Sequence, residues 1–442
     1  MSSTKSFQRI NSLSFTPNNK YFSLSTTDGW SICSTKPFQK LLQRKIPNCS
    51  ISLCSLLSGS NIVALVGSGS ENEFPNSTLL LYDDSQEKTI LTLKFNYAIT
   101  AVKVTHFELI VCTGTALFLY SLRDLTPLGQ YATYDNPNGI VDILIDPTTN
   151  SLSLLATLGV QKGELKILRL ANESTKAFNF KAFTNEINCM SLSKKGEMIA
   201  VTSNLKPDII RIFNCADRVS LIFELQKPSK IKKIVLSNLI VGTKNTKKSE
   251  QSLNSQKETT KKKKSKEKQS TDSEITSISF NIDNSLLATS DSNGNIIIYS
   301  LARVLHKVDR FNHINNRSQQ KNDHNTICGE TGRELSFRVL LDYAEWENIL
   351  IKTQSLQRSI VTFKGREKLY MITQDGLFNQ IRILITTGEI ILTQNIWFSG
   401  KNKKKNSLKQ KFKNVKKKNI HSNIGKEFNK TKNNNEKIIN KK

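Results

Sequence analysis

The chain has few of the residues on which enzymes, metal sites and secreted folds are built. Its seven cysteines (Cys33, Cys49, Cys54, Cys112, Cys189, Cys215, Cys328) form no Cys-x-x-Cys pair, and their number is odd. Neither a disulfide framework nor a cysteine-based zinc site is implied, and the reading is a reduced, intracellular protein. Only five histidines occur in 442 residues, with no catalytic cluster among them. His313, His324 and Cys328 share one polar stretch, yet no fourth zinc ligand stands at a suitable spacing. No P-loop, nucleophile elbow or dinucleotide fingerprint is present, so neither an enzyme nor a bound cofactor is expected. The N-terminus lacks an apolar signal stretch, and no run approaches the ~18 apolar residues that a membrane span needs.

What is abundant is lysine, unevenly placed. The net charge is +27, but Lys227 to Ser270 holds 14 Lys and 3 Glu, and Lys401 to Lys442 holds 16 Lys and 2 Glu. These two stretches carry +25, so the rest of the chain is close to neutral. Blocks of like charge repel themselves and bury no core, so both are expected to be disordered. Apolar residues make up 37% of the sequence, enough for a core in the remainder.

That remainder repeats one unit. An apolar-polar strand leads to a polar turn, a small-residue strand, a Gly turn, and a β-branched strand with an aromatic near its end. Thr276-Ser-Ile-Ser-Phe, Asn281 to Asn284, Leu286-Leu-Ala-Thr-Ser, Asn293-Gly-Asn and Ile296-Ile-Ile-Tyr form the clearest copy. Ile10 to Pro37 and Ile187 to Phe213 repeat it. Weaker copies run from Ile51 to Phe95, Ile99 to Ala132, Ile140 to Phe180 and Ser359 to Phe398, making seven. Period-2 alternation between turn residues is β-sheet, and a spacing of about 40 residues per unit is a propeller period. The predicted fold is all-β: a seven-bladed WD40-like β-propeller over 1–400. It is interrupted by a disordered Lys-rich insertion at 228–272 and a long blade-six loop at 302–343, with a disordered Lys/Asn-rich tail at 401–442.

Several fragments resemble the PROPPIN (WIPI-type) β-propellers, in an order that runs along nearly the whole ordered chain. Gly67-Ser-Gly-Ser, Phe74-Pro75-Asn and Leu79-Leu-Leu-Tyr82-Asp83-Asp84 resemble the second blade of that family. Ser34-Thr-Lys-Pro37-Phe38, Leu117 to Leu125, Tyr134-Asp-Asn-Pro137-Asn-Gly139, Trp346 and Asp375-Gly376 resemble the first, third, fourth, sixth and last. The resemblance implies a monomeric, non-enzymatic scaffold recruited to autophagic or endosomal membranes by phosphatidylinositol 3-phosphate or the 3,5-bisphosphate. It also implies an autophagy lipid-transfer protein as a partner near blades two and three, where Asp83 and Asp84 form a candidate partner edge.

The family's lipid motif is Arg-Arg-Gly after blade five, each arginine gripping one headgroup. Guanidinium pairs bidentately with phosphate. Here the aligned residues are Gln226, Lys227 and Pro228. Supporting positions fall near Phe183, Asp208, Asn295 and Ile297, while Ser203, Arg211 and Ser290 remain. The resemblance thus implies a phosphoinositide site of Lys227, Gln226, Arg211, Ser203, Ser290 and Asn295. Lys230, Lys232 and Lys233 would add charge at about 1 kcal/mol per Lys near an anionic surface. Phe337 and Leu340 lie on an apolar-basic flank of the long blade-six loop and are further candidate membrane contacts. The same Lys-rich insert also reads as a neutral loop expansion. Nucleic acid is an alternative partner, through the basic tails alone, with a nuclear scaffold as the corresponding function. Those tails carry lysine and only Phe412 and Phe428 as aromatics, whereas base stacking and groove reading use aromatics and Arg.

Overall fold

The computed structural model describes residues 9–399 except 47–48, 70–73, 172–173, 216–218, 227–231, 237–238, 240, 242–272 and 302–347. The chain divides into two compact units, Met1–Ile396 and Trp397–Lys442, the second described only at residues 397–399. No helix among the described residues is long and apolar enough to cross a membrane.

The first unit contains seven antiparallel sheets. Blade one is β1 to β4 (Ile10–Phe15, Tyr21–Thr26, Gly29–Thr35, Phe38–Lys45) and blade two is β5 to β8 (Ile51–Leu56, Ile62–Gly67, Thr78–Asp83, Lys88–Lys94). Blade three is β9 to β12 (Ile99–Val104, Glu108–Thr113, Ala116–Ser121, Pro127–Ala132) and blade four is β13 to β16 (Val141–Ile145, Leu152–Leu158, Glu164–Ala171, Ser174–Lys181). Blade five is β17 to β20 (Ile187–Leu192, Met198–Ser203, Lys206–Asn214, Ser220–Gln226). Blade six takes β21 (Lys232–Val235) and β22 to β25 (Ile275–Phe280, Leu286–Asp291, Asn295–Ser300, Ile349–Lys352). Blade seven is β26 to β29 (Ser359–Lys364, Lys368–Thr373, Leu377–Leu384, Glu389–Trp397). All seven repeats expected from the sequence are blades.

Burial follows position within a blade. Second strands are enclosed on both faces, and β10 and β18 are buried at every residue. Outermost strands such as β4 and β8 alternate exposed and half-buried. A single sheet cannot cover its own faces, so neighbouring blades do it. One shared cluster joins blades two and three around Leu79, Val102 and Leu109, and another joins four and five around Ile167, Ile187 and Ile199. Each fully buried aliphatic side chain there contributes about 1.5–3 kcal/mol. Polar bonds tie the same seams. Ser23 Oγ donates to Cys54 O (2.6 Å), Asn188 Nδ2 to Ile275 O (2.7 Å) and Ser290 Oγ to Ser359 O (2.7 Å).

The ring closes without a strand shared between its first and last blades. Phe378 of blade seven stacks on Phe22 of blade one (centroids 6.0 Å, planes 9° apart) and meets Phe38 at 5.0 Å. Asn19 Nδ2 donates to Phe363 O (2.8 Å), and Gln374 Nε2 to Ile10 O (3.1 Å). First strands line an axial cavity of about 260 Å³.

The segment 228–272 needs a correction. Within this stretch, expected to be wholly disordered, Lys232–Val235 forms β21, which pairs parallel to β25 in the register Lys232↔Ile349 to Val235↔Lys352. The reason is apolar spacing among the lysines: Ile234 and Leu236 are buried at 4% and 1% exposure. Blade six therefore has five strands, in the order β21-β25-β24-β23-β22. The rest of the insertion, most of the long blade-six loop and the tail lie outside the described residues.

The Gly/Ser loop of blade two has a steric origin. A Cβ on Gly67 would run into the Phe74 carbonyl, so only glycine lets the returning chain pass this close. Phe74 then packs half-buried against the cluster of blades one and two.

Candidate functional site

The candidate lipid residues lie on the rims of blades five and six. On β19, Ile210 and Ile212 face blade six, so the alternating Arg211 faces the cleft to blade four. Its partner across β20 is Glu224. Arg211 Nε lies 2.6 Å from Glu224 Oε1, with side chains 29% and 33% exposed. Nη1 donates to Ala182 O at 2.7 Å, and the guanidinium sits 4.5 Å from the Phe183 ring centroid. The arginine is thus held by an ion pair, a carbonyl and an aromatic face, all from its own blade and the preceding linker. The fork that would meet a phosphate is turned inward.

The two retained serines are also interior. Ser203, at the end of β18, is 0% exposed, and its hydroxyl has no partner among the described residues. Ser290 is 1% exposed and spends its hydroxyl on the Ser359 carbonyl. Asn295 begins β24 and donates through Nδ2 to Asp291 Oδ2 (2.8 Å). Gln226 ends β20 opposite Ile209 and is exposed. Arg211 thus faces the linker before blade five and Ser290 faces blade seven, with Ser203 and Ser290 buried and Gln226 exposed. Lys227, Lys230, Phe337, Leu340 and Trp346 lie outside the described residues.

Positive charge collects instead on the outer edge of blade six. Lys232 is half-exposed and Lys233 exposed on β21, and Lys352 is exposed at the end of β25, level with Asn295. None of the three is in an ion pair among the described residues. Lys352 was missed from the sequence because its neighbours carry no motif. The alternation Ile234–Leu236 is the signal that would have found β21.

The Asp83–Asp84 pair, read as a partner edge, makes contacts within the propeller. Asp84 binds Arg44 of blade one through both oxygens (Nε–Oδ1 2.6 Å, Nη2–Oδ2 3.1 Å). Asp83 accepts from the Ser85 backbone N–H and hydroxyl, which hold its carboxyl below the usual value. Asp84 thus joins two blades, and Asp83 caps a turn through Oδ1. No group of three His, Cys, Asp or Glu suited to a metal occurs among the described residues.

Comparison with known proteins agrees with this architecture. A family profile described as "WD domain, G-beta repeat" matches residues 262–300. SVP1-like protein 2 of Schizosaccharomyces pombe is 27% identical over 205 residues, 46% of this chain and 55% of that protein. Autophagy-related protein 18e of Arabidopsis thaliana is 28% identical over 198 residues, 44% of this chain and 51% of that protein. The chain thus spans about half the length of the curated relatives it matches. Among solved structures, Kluyveromyces lactis Hsv2 superposes with a TM-score of 0.56 at 14% identity, covering 88% of this chain and 98% of its own. KlAtg21, solved in complex with the coiled-coil of AgAtg16, gives 0.59 at 16%, covering 88% and 99%. These last two likenesses speak for the fold, and the two curated relatives match just under half of this chain. In sequence and in fold the chain is similar to the PROPPIN WD-repeat β-propellers.

Proposed function

We propose that this propeller is a non-enzymatic scaffold that sits peripherally on phosphoinositide-containing membranes, phosphatidylinositol 3-phosphate or the 3,5-bisphosphate, and serves autophagosome formation from the cytoplasm. The observation that carries the reading is the lysine edge of blade six, Lys232, Lys233 and Lys352, which is in no ion pair among the described residues. Ammonium groups replace the missing guanidinium forks as point charges, each contributing about 1 kcal/mol near an anionic surface. Attraction of this kind weakens with salt. An autophagy lipid-transfer protein remains the proposed partner. For KlAtg21 the partner in the solved complex is a coiled coil, that of AgAtg16.

A second reading has its own observation. Arg211 is engaged by Glu224, Ala182 and Phe183, which favours a scaffold that no longer reads headgroups and works through proteins or, in the nucleus, through its basic tails.

Liposome flotation separates the two. Vesicles with phosphatidylinositol 3-phosphate are compared with phosphatidylserine vesicles of matched charge, using the full chain, a version lacking 242–270 and 401–442, and Lys232→Glu/Lys233→Glu. The trimmed protein is expected to retain a preference for the phosphoinositide that the double substitution removes. Loss of binding with the tails, or equal binding to both lipids, would establish the second reading.

A further inference from the structure

The turns between first and second strands gather round one mouth of the axial channel. Those of blades one to six line a funnel of about 500 Å³. It continues into the axial cavity, sharing Val104, Asp142, Ile143 and Lys194 with it. Leu57, Val104, Leu144, Leu192 and Ile282 make its wall apolar, and Ile282 is 48% exposed. A concave apolar wall with an open lip is surface that a partner can cover.

The rim is positively charged. Lys20 and Lys194 line the funnel, and Lys103 lines the channel below. Lys36, Lys364 and Lys368 stand in or beside adjoining turns of blades one and seven. Desolvation, and then the charges of Lys20, Lys36 and Lys368, hold Lys364 below the usual lysine pKa. Desolvation likewise lowers Lys194, with Lys103 adding and Asp142 opposing. Lys194 has an exposed surface yet is ringed by protein, as befits a side chain set in a concave mouth. None of these six lysines is in an ion pair among the described residues.

Acids on the same face are engaged locally. Asp142 accepts from the backbone N–H groups of Ile143 (3.0 Å) and Leu192 (2.8 Å). Asp146 accepts from Thr148, and Asp283 pairs with Arg366 at 2.8 Å. The lysines of this mouth are therefore in no ion pair among the described residues, while Asp142, Asp146 and Asp283 are held by local bonds.

We propose that the funnel docks an acidic protein segment, which seats one aliphatic side chain against the apolar wall while its carboxylates face Lys20, Lys194, Lys364 and Lys368. Charge complementarity selects an anion, and the wall selects a peptide. A nucleic-acid backbone has nothing apolar to set against Leu57 and Ile282, and a flat bilayer surface does not enter a concave mouth. The site is separate from the blade-six edge.

The test is fluorescence anisotropy on the full chain with a labelled peptide of Asp and Glu around one central Leu. Lys194→Glu, and separately Lys20→Glu/Lys364→Glu, are expected to weaken binding at least tenfold, and Lys194→Met by less. Lys88→Glu on the outer strand of blade two leaves it unchanged, because the basic insert and tail add the same background to every variant. Replacing the peptide's Leu by Ser weakens wild-type binding several-fold. Urea midpoints equal to wild type certify that the variants fold, and Lys194→Met serves if Lys194→Glu does not. Equal affinity of wild type and the funnel variants overturns the proposal, as does equal binding of the Leu and Ser peptides. So does the same Lys194 dependence with a single-stranded RNA or phosphatidylserine vesicles as probe.

Discussion

Replacing Arg211 distinguishes a residue that holds the propeller together from one that holds lipid. Arg211→Ala removes three contacts at once. The hydrogen bond from Nη1 to Ala182 O has a charged donor, a class that contributes about 1.5–3 kcal/mol. The Phe183 face below the guanidinium adds about 0.5–1 kcal/mol. The Glu224 pair, about one-third exposed, adds about 0.2–1 kcal/mol. Contacts made by one side chain are not additive, so the expected loss is about 2–3 kcal/mol. Arg211→Lys keeps the ion pair and loses the flat face, so it costs roughly half as much. The assay is urea unfolding followed by tryptophan fluorescence, with flotation of the folded protein in parallel. A lower midpoint with unchanged lipid preference is expected. An unchanged midpoint with lipid preference abolished would refute the reasoning and make Arg211 a headgroup ligand.

Three further outcomes follow from the ring and its interior. Phe378→Ala, at the seam between the last and first blades, should cost about 3–5 kcal/mol and expose that seam first to limited proteolysis; a loss below about 1 kcal/mol contradicts aromatic closure. Gly67→Ala should displace the 74–77 return and lower the unfolding midpoint, whereas Gly59→Ala, with open space at its Cβ but a positive φ, should cost less. Burial pushes the thiols of Cys33, Cys54, Cys112, Cys189 and Cys215 up to about 12. They should resist a thiol reagent at pH 8 until urea is added, with half-buried Cys49 reacting first among the described thiols. Above pH ~8.5 the unfolded thiols release protons that the native ones keep, so stability should fall as pH rises from there toward 12; a midpoint equal at pH 8 and 10 contradicts this.

The propeller was legible because its repeat is local. Strand alternation, the Asn293-Gly-Asn turn and the small-residue second strands each appear within ten residues, and the blades begin and end where those patterns do. β21 was not legible, because four residues between lysines gain their place only from Ile349–Lys352, more than a hundred positions away. The site was harder for the same reason. That Arg211 is present could be read from the chain; that Ala182 and Phe183 claim it could not. Asp84 shows the converse. A residue singled out by family likeness as an edge is also an inter-blade tie, because Arg44 lies forty positions back and across a seam. Charge was read correctly as a sum, while its arrangement round the funnel needed turns from distant blades to be brought together.

The parallel pairing of β21 with β25 also has a mechanical meaning. Two long sequence excursions, one between β20 and β22 and one between β24 and β25, meet at this pairing, since β21 lies within the first and β25 ends the second. A pull along β21 loads all its paired residues together in shear. A pull across it opens them one after another. Blade six is therefore stiff to tension in one direction and yielding in the other, and a load on either excursion is felt at the same four residues.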